Sequence, residues 1–379
     1  MEEPGQGLAG GMNIFLRGLL QGMEKSGVAT VVLTRATGET VEVSEPYPGV
    51  RIFHVPCFWS SPPTRESAWE SLDVFTEKSR LLLHGERIAP DVVSAHYWMS
   101  GVAARRLSGA PMILSYHTVE ARKVPSPGGG EGALSPVRRE EEARLAGEAA
   151  RVVCFTEHDL KENRRIFPEL SDRGVVIPPG VDERFRLLMP REVARSYLGL
   201  PLSGDFFLLA GRGDAGKNAR AAVEAFRAVR ARWSGELLLL VAGQEHRAEF
   251  PLDRVVHLGP VPHDSMPVLY AAVDAVLCPS LYESFGLVPL EALSAAVPVI
   301  VPRGTYWGEK ILSEGGGLAY LPDDPDGLPG AMRSLLADPT LRARLSFTGP
   351  KVARPFTWER CTESWRALLS SVSTSRNPR

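Results

Sequence analysis

The chain has 379 residues, 44% of them apolar and 23% charged, with a formal net charge of −2. That length is too much for one small core and points to two domains. The near-zero charge excludes a global field for nucleic acid or an anionic membrane surface. The longest apolar run, LLLLVA at 237–242, is far too short to span a bilayer, and no secretory signal is recognised. Cys57, Cys154, Cys278 and Cys361 lie far apart without metal-ligand spacing, which reads as reduced core thiols in a cytoplasmic protein.

The first feature in chain order is GQGLAGG at 5–11, where Gly5, Gly7 and Gly10 have dinucleotide-binding spacing. That fingerprint needs a strand before it and an acidic residue closing the next strand. Only MEEP precedes it, and the next strand, VATVVLT (28–34), ends in Thr34-Arg35. What remains is a tight turn whose amides face a cleft. A doubly wound domain normally opens with a strand here. The expectation is therefore a missing first strand, either because the true start lies upstream or because the sheet lacks that strand.

Further strands follow at VRIFHVP (50–56), DVVSAH (91–96), PMILSYH (111–117), RVVCFT (151–156) and GVVIPPG (174–180). A second series comprises DFFLLAG (205–211), ELLLLVAG (236–243), RVVHLGP (254–260), DAVLCPS (274–280) and VPVIVPR (297–303). Helical stretches such as ARAAVEAFRAVRARW (219–233) and MPVLYAAV (266–273) lie between them. Strands apolar throughout and separated by helices imply parallel sheets covered on both faces. Two such series predict an α/β protein of two doubly wound, Rossmann-like domains facing a cleft. The expected divisions are 1–185, 186–355 and a closing helix in 356–379 that packs back toward the first domain.

GRGDAGKN (211–218) nearly matches a phosphate loop, but Asn218 stands where a magnesium-binding Ser or Thr is needed, which argues against an NTPase. Arg212 and Lys217 remain as a two-cation clamp for a diphosphate, with a solvated turn as the plain alternative. Asp324-Pro325-Asp326 has the Asp-x-Asp form of some metal sites but lies in LPDDPDGLPG, a turn-rich loop, so no metal is inferred. In LYESFGLVPLEAL (281–293), Pro289 suits the first turn of a helix. The amides of Phe285, Gly286 and Leu287 then point outward at its positive end, favouring anionic or hydroxyl oxygens. Glu283 and Glu291 could accept hydrogen bonds from sugar hydroxyls. Acidic residues near a helix start are also common dipole stabilisers.

The run E-S-F-G-L-x₃-E resembles the Glu-x₇-Glu signature of the retaining glycosyltransferases of family 4, which have the GT-B fold. GRGDAGKN is similar to that family's Gly-Arg…Lys loop, VVIPPGVDERF to its interdomain segment, and HLGPV (257–261) to the segment that holds the base. The resemblance covers essentially the whole chain after its first strand. It implies that Arg212 and Lys217 carry the donor's phosphates and Glu291 its ribose. Glu283 and the amides of Phe285, Gly286 and Leu287 would hold the transferred sugar. Gly11, Gly211 and Val261 would complete the donor site, and His117 matches the family histidine at the donor sugar. A lone histidine after a strand is otherwise an ordinary structural residue.

AGGMN (9–13), HYWMSG (96–101), SYHT (115–118) and PVRREEE (136–142) resemble motifs of the D-inositol-3-phosphate glycosyltransferases, shared in part by sucrose-phosphate synthases. That likeness implies an acceptor phosphate bound by Asn13, Tyr97, Thr118 and Arg138. An arginine fork, two hydroxyls and an amide suit a phosphate dianion. The plain alternatives are Tyr97 as core and Arg138 as a solvated helix residue. The family's additional acceptor lysine has no clear match, Arg65 being a weak one. RGTYWGEKILSEGGG (303–317) departs from the family's Gly-Gly-Leu-Pro run.

The expected reaction is retaining transfer of a sugar from a nucleoside diphosphate sugar, UDP-sugar foremost, to a hydroxyl of a small phosphorylated acceptor such as an inositol phosphate or sugar phosphate. No cofactor beyond the co-substrate, no metal and no nucleic acid partner is expected. No carboxylate pair at glycosidase spacing is required, because by family analogy the leaving diphosphate takes the acceptor's proton. Glycan, lipid or natural-product acceptors are the alternatives within the enzyme class. A non-catalytic sugar-nucleotide-binding protein is the alternative outside it. A phosphorylase of the same fold would need pyridoxal phosphate, for which no motif is found.

Overall fold

The computed structural model describes residues 10–58, 64–123, 132–187, 189–211, 215–243 and 254–374. Gly5 and Gly7 of the amino-terminal turn and Arg212 of the Gly-rich loop lie outside them. Strands β1 (Thr30–Thr37), β2 (Glu42–Tyr47) and β3 (Val50–Phe58) form one sheet in the order β1-β3-β2. Strands β4 (Val93–His96), β5 (Met112–Ser115), β6 (Arg151–Cys154) and β7 (Gly174–Val176) form a second, parallel and in sequence order. Among the described residues no strand joins β1 to β4.

The third sheet contains β8 (Asp205–Ala210), β9 (Leu237–Ala242), β10 (Val255–Gly259), β11 (Ala275–Leu277), β12 (Val299–Pro302) and β13 (Gly317–Tyr320). Its order is β10-β9-β8-β11-β12-β13 and every pair is parallel. All six residues of β9 are buried, as a strand covered on both faces demands. The order reverses between β8 and β11, so the loops leaving their carboxyl ends splay apart and open a crevice.

Two strands escape the sequence reading. β2, EVSEPY, is exposed along most of its length and pairs antiparallel on the outside of β3; its polar residues and Pro46 suit an edge and hide it from an apolar-run criterion. β13 is only four residues long and begins at Gly317.

An apolar core runs between the halves. Phe15, Leu19 and Met23 of the helix Gly11–Lys25 join Phe185, Phe285, Trp307, Phe356 and Trp365 in one buried cluster. The closing helix Trp358–Thr374 lies against that first helix, as glycine spacing allows. A Cβ on Gly18 would sit 2.3 Å from the Trp358 ring, and one on Gly22 1.9 Å from the Thr362 hydroxyl. Gly18→Val is accordingly expected to destabilise the fold by roughly 1–3 kcal/mol through overpacking. Chemical denaturation checks this, and an unshifted midpoint contradicts the contact. Among the described residues no helix is long and apolar enough to cross a membrane.

Candidate functional site

The loop after β8 leaves through Gly211, at φ 138°, and resumes in a short 3-10 turn that ends at Lys217. Asn218 takes the left-handed conformation, and its amide donates to the Pro279 carbonyl at 3.4 Å. That bond ties the loop to the segment leaving β11. Lys217 Nζ then lies 2.5 Å from Glu283 Oε1, with each side chain about a third exposed. These two residues line an open pocket of about 600 Å³ together with Gly211, Cys278, Thr305 and Tyr306.

The helix Leu287–Ser294 starts behind Gly286, whose φ of 89° suits glycine. Leu287 Cδ1 stands 3.6 Å from where a Cβ on Gly11 would lie. The amino termini of two helices therefore meet at this cleft, and the positive ends of their dipoles favour an anion between them. The Phe285 ring is buried against Trp307 and Phe356. Trp307 Nε1 donates to the Gly286 carbonyl at 3.0 Å. The segment 303–317 that departs from the family pattern thus supplies the ring that locks the turn.

Glu291 is already held by two side chains. It is buried, with Oε1 2.7 Å from His263 Nε2 and Oε2 accepting from the Tyr270 hydroxyl at 2.9 Å. A buried carboxylate requires such partners, and each oxygen keeps a second lone pair for a further donor. His263 follows Val261 by two residues, so Glu291 faces the segment leaving β10.

Across the cleft, His117 follows β5 with φ 59°, and Tyr97 follows β4 with φ 82°. Positive φ in two non-glycine residues at the ends of adjacent strands is the kind of strain that collects at functional sites. Ser284 Oγ donates to the His117 carbonyl, and the Val119 amide donates to the Tyr282 hydroxyl at 2.9 Å. The Arg122 guanidinium lies over the Tyr282 ring at 4.4 Å. These contacts hold the His117 loop against the Glu283 loop. His117 Nε2 is 3.1 Å from His96 Nδ1, and Ser94 Oγ is 3.1 Å from His96 Nε2. Desolvation pulls His117 well below the usual imidazole range and His96 down to about 4, so both rings are neutral near pH 7.

Three of the four expected acceptor residues come together. Arg138, on the helix Ser135–Glu148, donates to the Tyr97 hydroxyl at 3.1 Å, the Thr118 carbonyl at 2.5 Å and Thr118 Oγ1 at 3.0 Å. It is 4% exposed, which rules out the solvated-helix alternative. Asn13 lies on the first turn of the helix Gly11–Lys25, and no hydrogen bond joins its side chain to this group among the described residues. Two carboxylates, absent from the expected set, also hold Arg138. Glu142 Oε1 is 2.6 Å away and Glu120 Oε2 is 3.1 Å away. Glu142 is fully buried and burial raises its pKa against the pull of Arg138. Asp324 and Asp326 serve their turn: Asp324 Oδ1 accepts from the Asp326 amide at 2.9 Å, and Asp326 pairs with Arg333 at 2.5 Å.

Glu120, Glu142, His96, His263 and Tyr270 are the residues that reading the sequence missed. Only the i, i+4 pair Arg138–Glu142 left a local signal, in RREEE.

Residues 10–180 match the family model for a glycosyl transferase 4-like domain, and residues 190–352 match that for glycosyl transferases group 1. A D-inositol 3-phosphate glycosyltransferase from Paenarthrobacter aurescens is 31% identical, over 99% of this chain and 97% of its own. One from Corynebacterium jeikeium is 29% identical, over 98% and 94%. Among solved structures, sucrose-phosphate synthase from Thermosynechococcus elongatus superposes with a TM-score of 0.87 at 24% identity, covering 99% of this chain and 96% of that one. WaaG, a glycosyltransferase involved in lipopolysaccharide biosynthesis, does so at 0.75 and 18%, covering 95% and 96%. The fold is GT-B, and the chain belongs to the family 4 glycosyltransferases, as an enzyme of sugar transfer.

Proposed function

We propose that this enzyme moves a hexosyl group, with retention of anomeric configuration, from a nucleoside diphosphate sugar to a hydroxyl of a small phosphorylated acceptor. A UDP-sugar is the donor this reading favours, and an inositol phosphate or sugar phosphate the acceptor. The observation that carries it is the Lys217–Glu283 pair at the reversal of strand order, next in chain to Ser284, which donates to the His117 carbonyl. In this reading residues 186–355 hold the donor, residues 1–185 hold the acceptor, and 356–379 close the structure, in a cytoplasmic protein.

Lys217, with Arg212 from the same loop, meets the diphosphate, and the amides at Leu287 and Gly11 add partial positive charge where negative charge develops. Glu283, released from Lys217 by the arriving phosphates, accepts from hydroxyls of the transferred sugar. Neutral His117 offers one ring nitrogen to the same sugar. Glu291 and the segment at Val261 hold the ribose and base. The leaving diphosphate takes the acceptor's proton on the face it vacates, so the protein's contribution is charge stabilisation and orientation. A metal has no role in this scheme.

Purified protein, offered a panel of nucleoside diphosphate sugars with inositol phosphate, hexose phosphates and their dephosphorylated forms, tests the proposal. Release of nucleoside diphosphate that depends on a phosphorylated acceptor is expected. Equal release with the neutral forms overturns the phosphate assignment. Binding without turnover under every pairing favours a non-catalytic sugar-nucleotide-binding protein.

A further inference from the structure

The Arg138 socket is not a bare cation awaiting an anion. Around it stand Glu120, Lys123, Ser135 and Glu142, none of which the sequence motifs single out. Glu120 reaches in from a short turn, Glu120–Arg122, that follows Thr118 and Val119. Its Oε1 accepts from Ser135 Oγ at 2.5 Å, while Oε2 pairs with Lys123 and lies 3.1 Å from Arg138 Nη1. Arg65 is close enough to bear on Lys123 as a third positive charge. One carboxylate thus collects two cations and a hydroxyl on the wall that carries Tyr97 and Thr118. A phosphate group would take the same donors.

We propose that Glu120 is a built-in anion seated in the acceptor's phosphate socket, that phosphate binds by displacing it, and that Lys123 is the socket's second cation. This deepens the phosphorylated-acceptor reading and rests on it.

Charge and burial identify which group yields. Arg138 and Lys123 balance Glu120 and Glu142, so a dianion added to the intact group meets two like charges at close range. Glu142 is fixed: it is fully buried, holds Arg138 Nε with Oε1, and accepts the Glu120 amide on Oε2 at 2.9 Å. Glu120 is the less buried of the two carboxylates. Its side chain is 11% exposed, beside the exposed Thr118, and its contacts on the socket are side chain to side chain. Rotation about its own bonds leaves Lys123 Nζ and Ser135 Oγ without their partner and takes the facing carboxylate away from Arg138 Nη1, which keeps its bond to the Tyr97 hydroxyl. With the Tyr97 and Thr118 hydroxyls, these donors suit a tetrahedral oxyanion. Burial pulls the Glu120 carboxyl upward, but Lys123, Ser135 and Arg138 together hold it below the usual range. It is therefore ionised at neutral pH and competes as an anion.

Glu120→Gln keeps the shape of the side chain and removes its charge. Titration of inorganic phosphate into the full-length protein is expected to show binding tighter by about tenfold or more than in wild type, as removal of a facing like charge predicts. The gain should vanish when Lys123→Gln is added. Unchanged or weaker phosphate binding in Glu120→Gln, while the wild type transfers sugar to a phosphorylated acceptor, shows that Glu120 is a fixed brace and overturns the inference alone. Transfer to neutral acceptors only, with no phosphate binding in either protein, overturns both the inference and the phosphorylated-acceptor reading. Should Glu120→Gln fail to fold, Lys123→Gln reads the socket from the cation side. A phosphate affinity about tenfold weaker, with donor KM unmoved, supports the proposal, and unchanged affinity contradicts it.

Discussion

Replacing Lys217 with alanine is expected to cut turnover by about 10²-fold or more, the range for losing one charge-stabilising contact in a transition state. The folded protein should hardly notice. Lys217 and Glu283 are each about a third exposed, so their ion pair contributes about 1 kcal/mol or less, and Glu283 keeps access to water when its partner is removed. The substitution therefore separates chemistry from folding. Steady-state kinetics with saturating acceptor, beside a thermal melt, measures both. Near-normal turnover sinks the diphosphate assignment, whereas a large fall in melting temperature means that the pair is a structural tie.

Arg138→Met should show the opposite balance. Glu142 is fully buried, and removal of Arg138 leaves its carboxylate without the guanidinium that offsets its desolvation. Orphaning one member of a buried pair costs about 3–5 kcal/mol. Adding Glu142→Gln removes the stranded charge, so the double substitution should recover much of that loss. It should not recover acceptor binding, because the fork that joins Tyr97 and Thr118 is gone. Urea denaturation of the single and double variants checks the first point and acceptor KM the second. A double variant no more stable than Arg138→Met contradicts the view that Glu142 is held by charge.

Both effects come from residues whose role was only half legible in the sequence. Apolar strands announced the parallel sheets, and β9, four leucines followed by valine and alanine, is the plainest case. β2 was hidden because an exposed edge strand needs no apolar pattern. The Glu-x₇-Glu run located Glu283 and Glu291 but said nothing of what holds them. Lys217 reaches Glu283 across 66 residues, and Glu291 is clasped by His263 and Tyr270 from the segments after β10. Such partners meet only when the sheet brings strand ends together, so no local spacing records them.

The acceptor side shows the same limit. The motifs named Tyr97, Thr118 and Arg138, and these three side chains are joined by hydrogen bonds in the structure. Charged-helix composition gave no sign that Arg138 is buried, and TVEARK gave none that Glu120 turns inward to face it. Asn13 shares a motif with the glycine turn and lies on the helix whose first turn faces Leu287.

The central claim is a retaining transfer across the cleft, from a nucleoside diphosphate sugar held at Lys217 to an acceptor held at Arg138. Following the anomeric proton by NMR during turnover, with an α-linked UDP-sugar and a phosphorylated acceptor, tests it in one experiment. The account predicts a single product whose new glycosidic bond is α and whose formation stops in Lys217→Ala. A β-linked product, or sugar released to water at the same rate with and without acceptor, contradicts it.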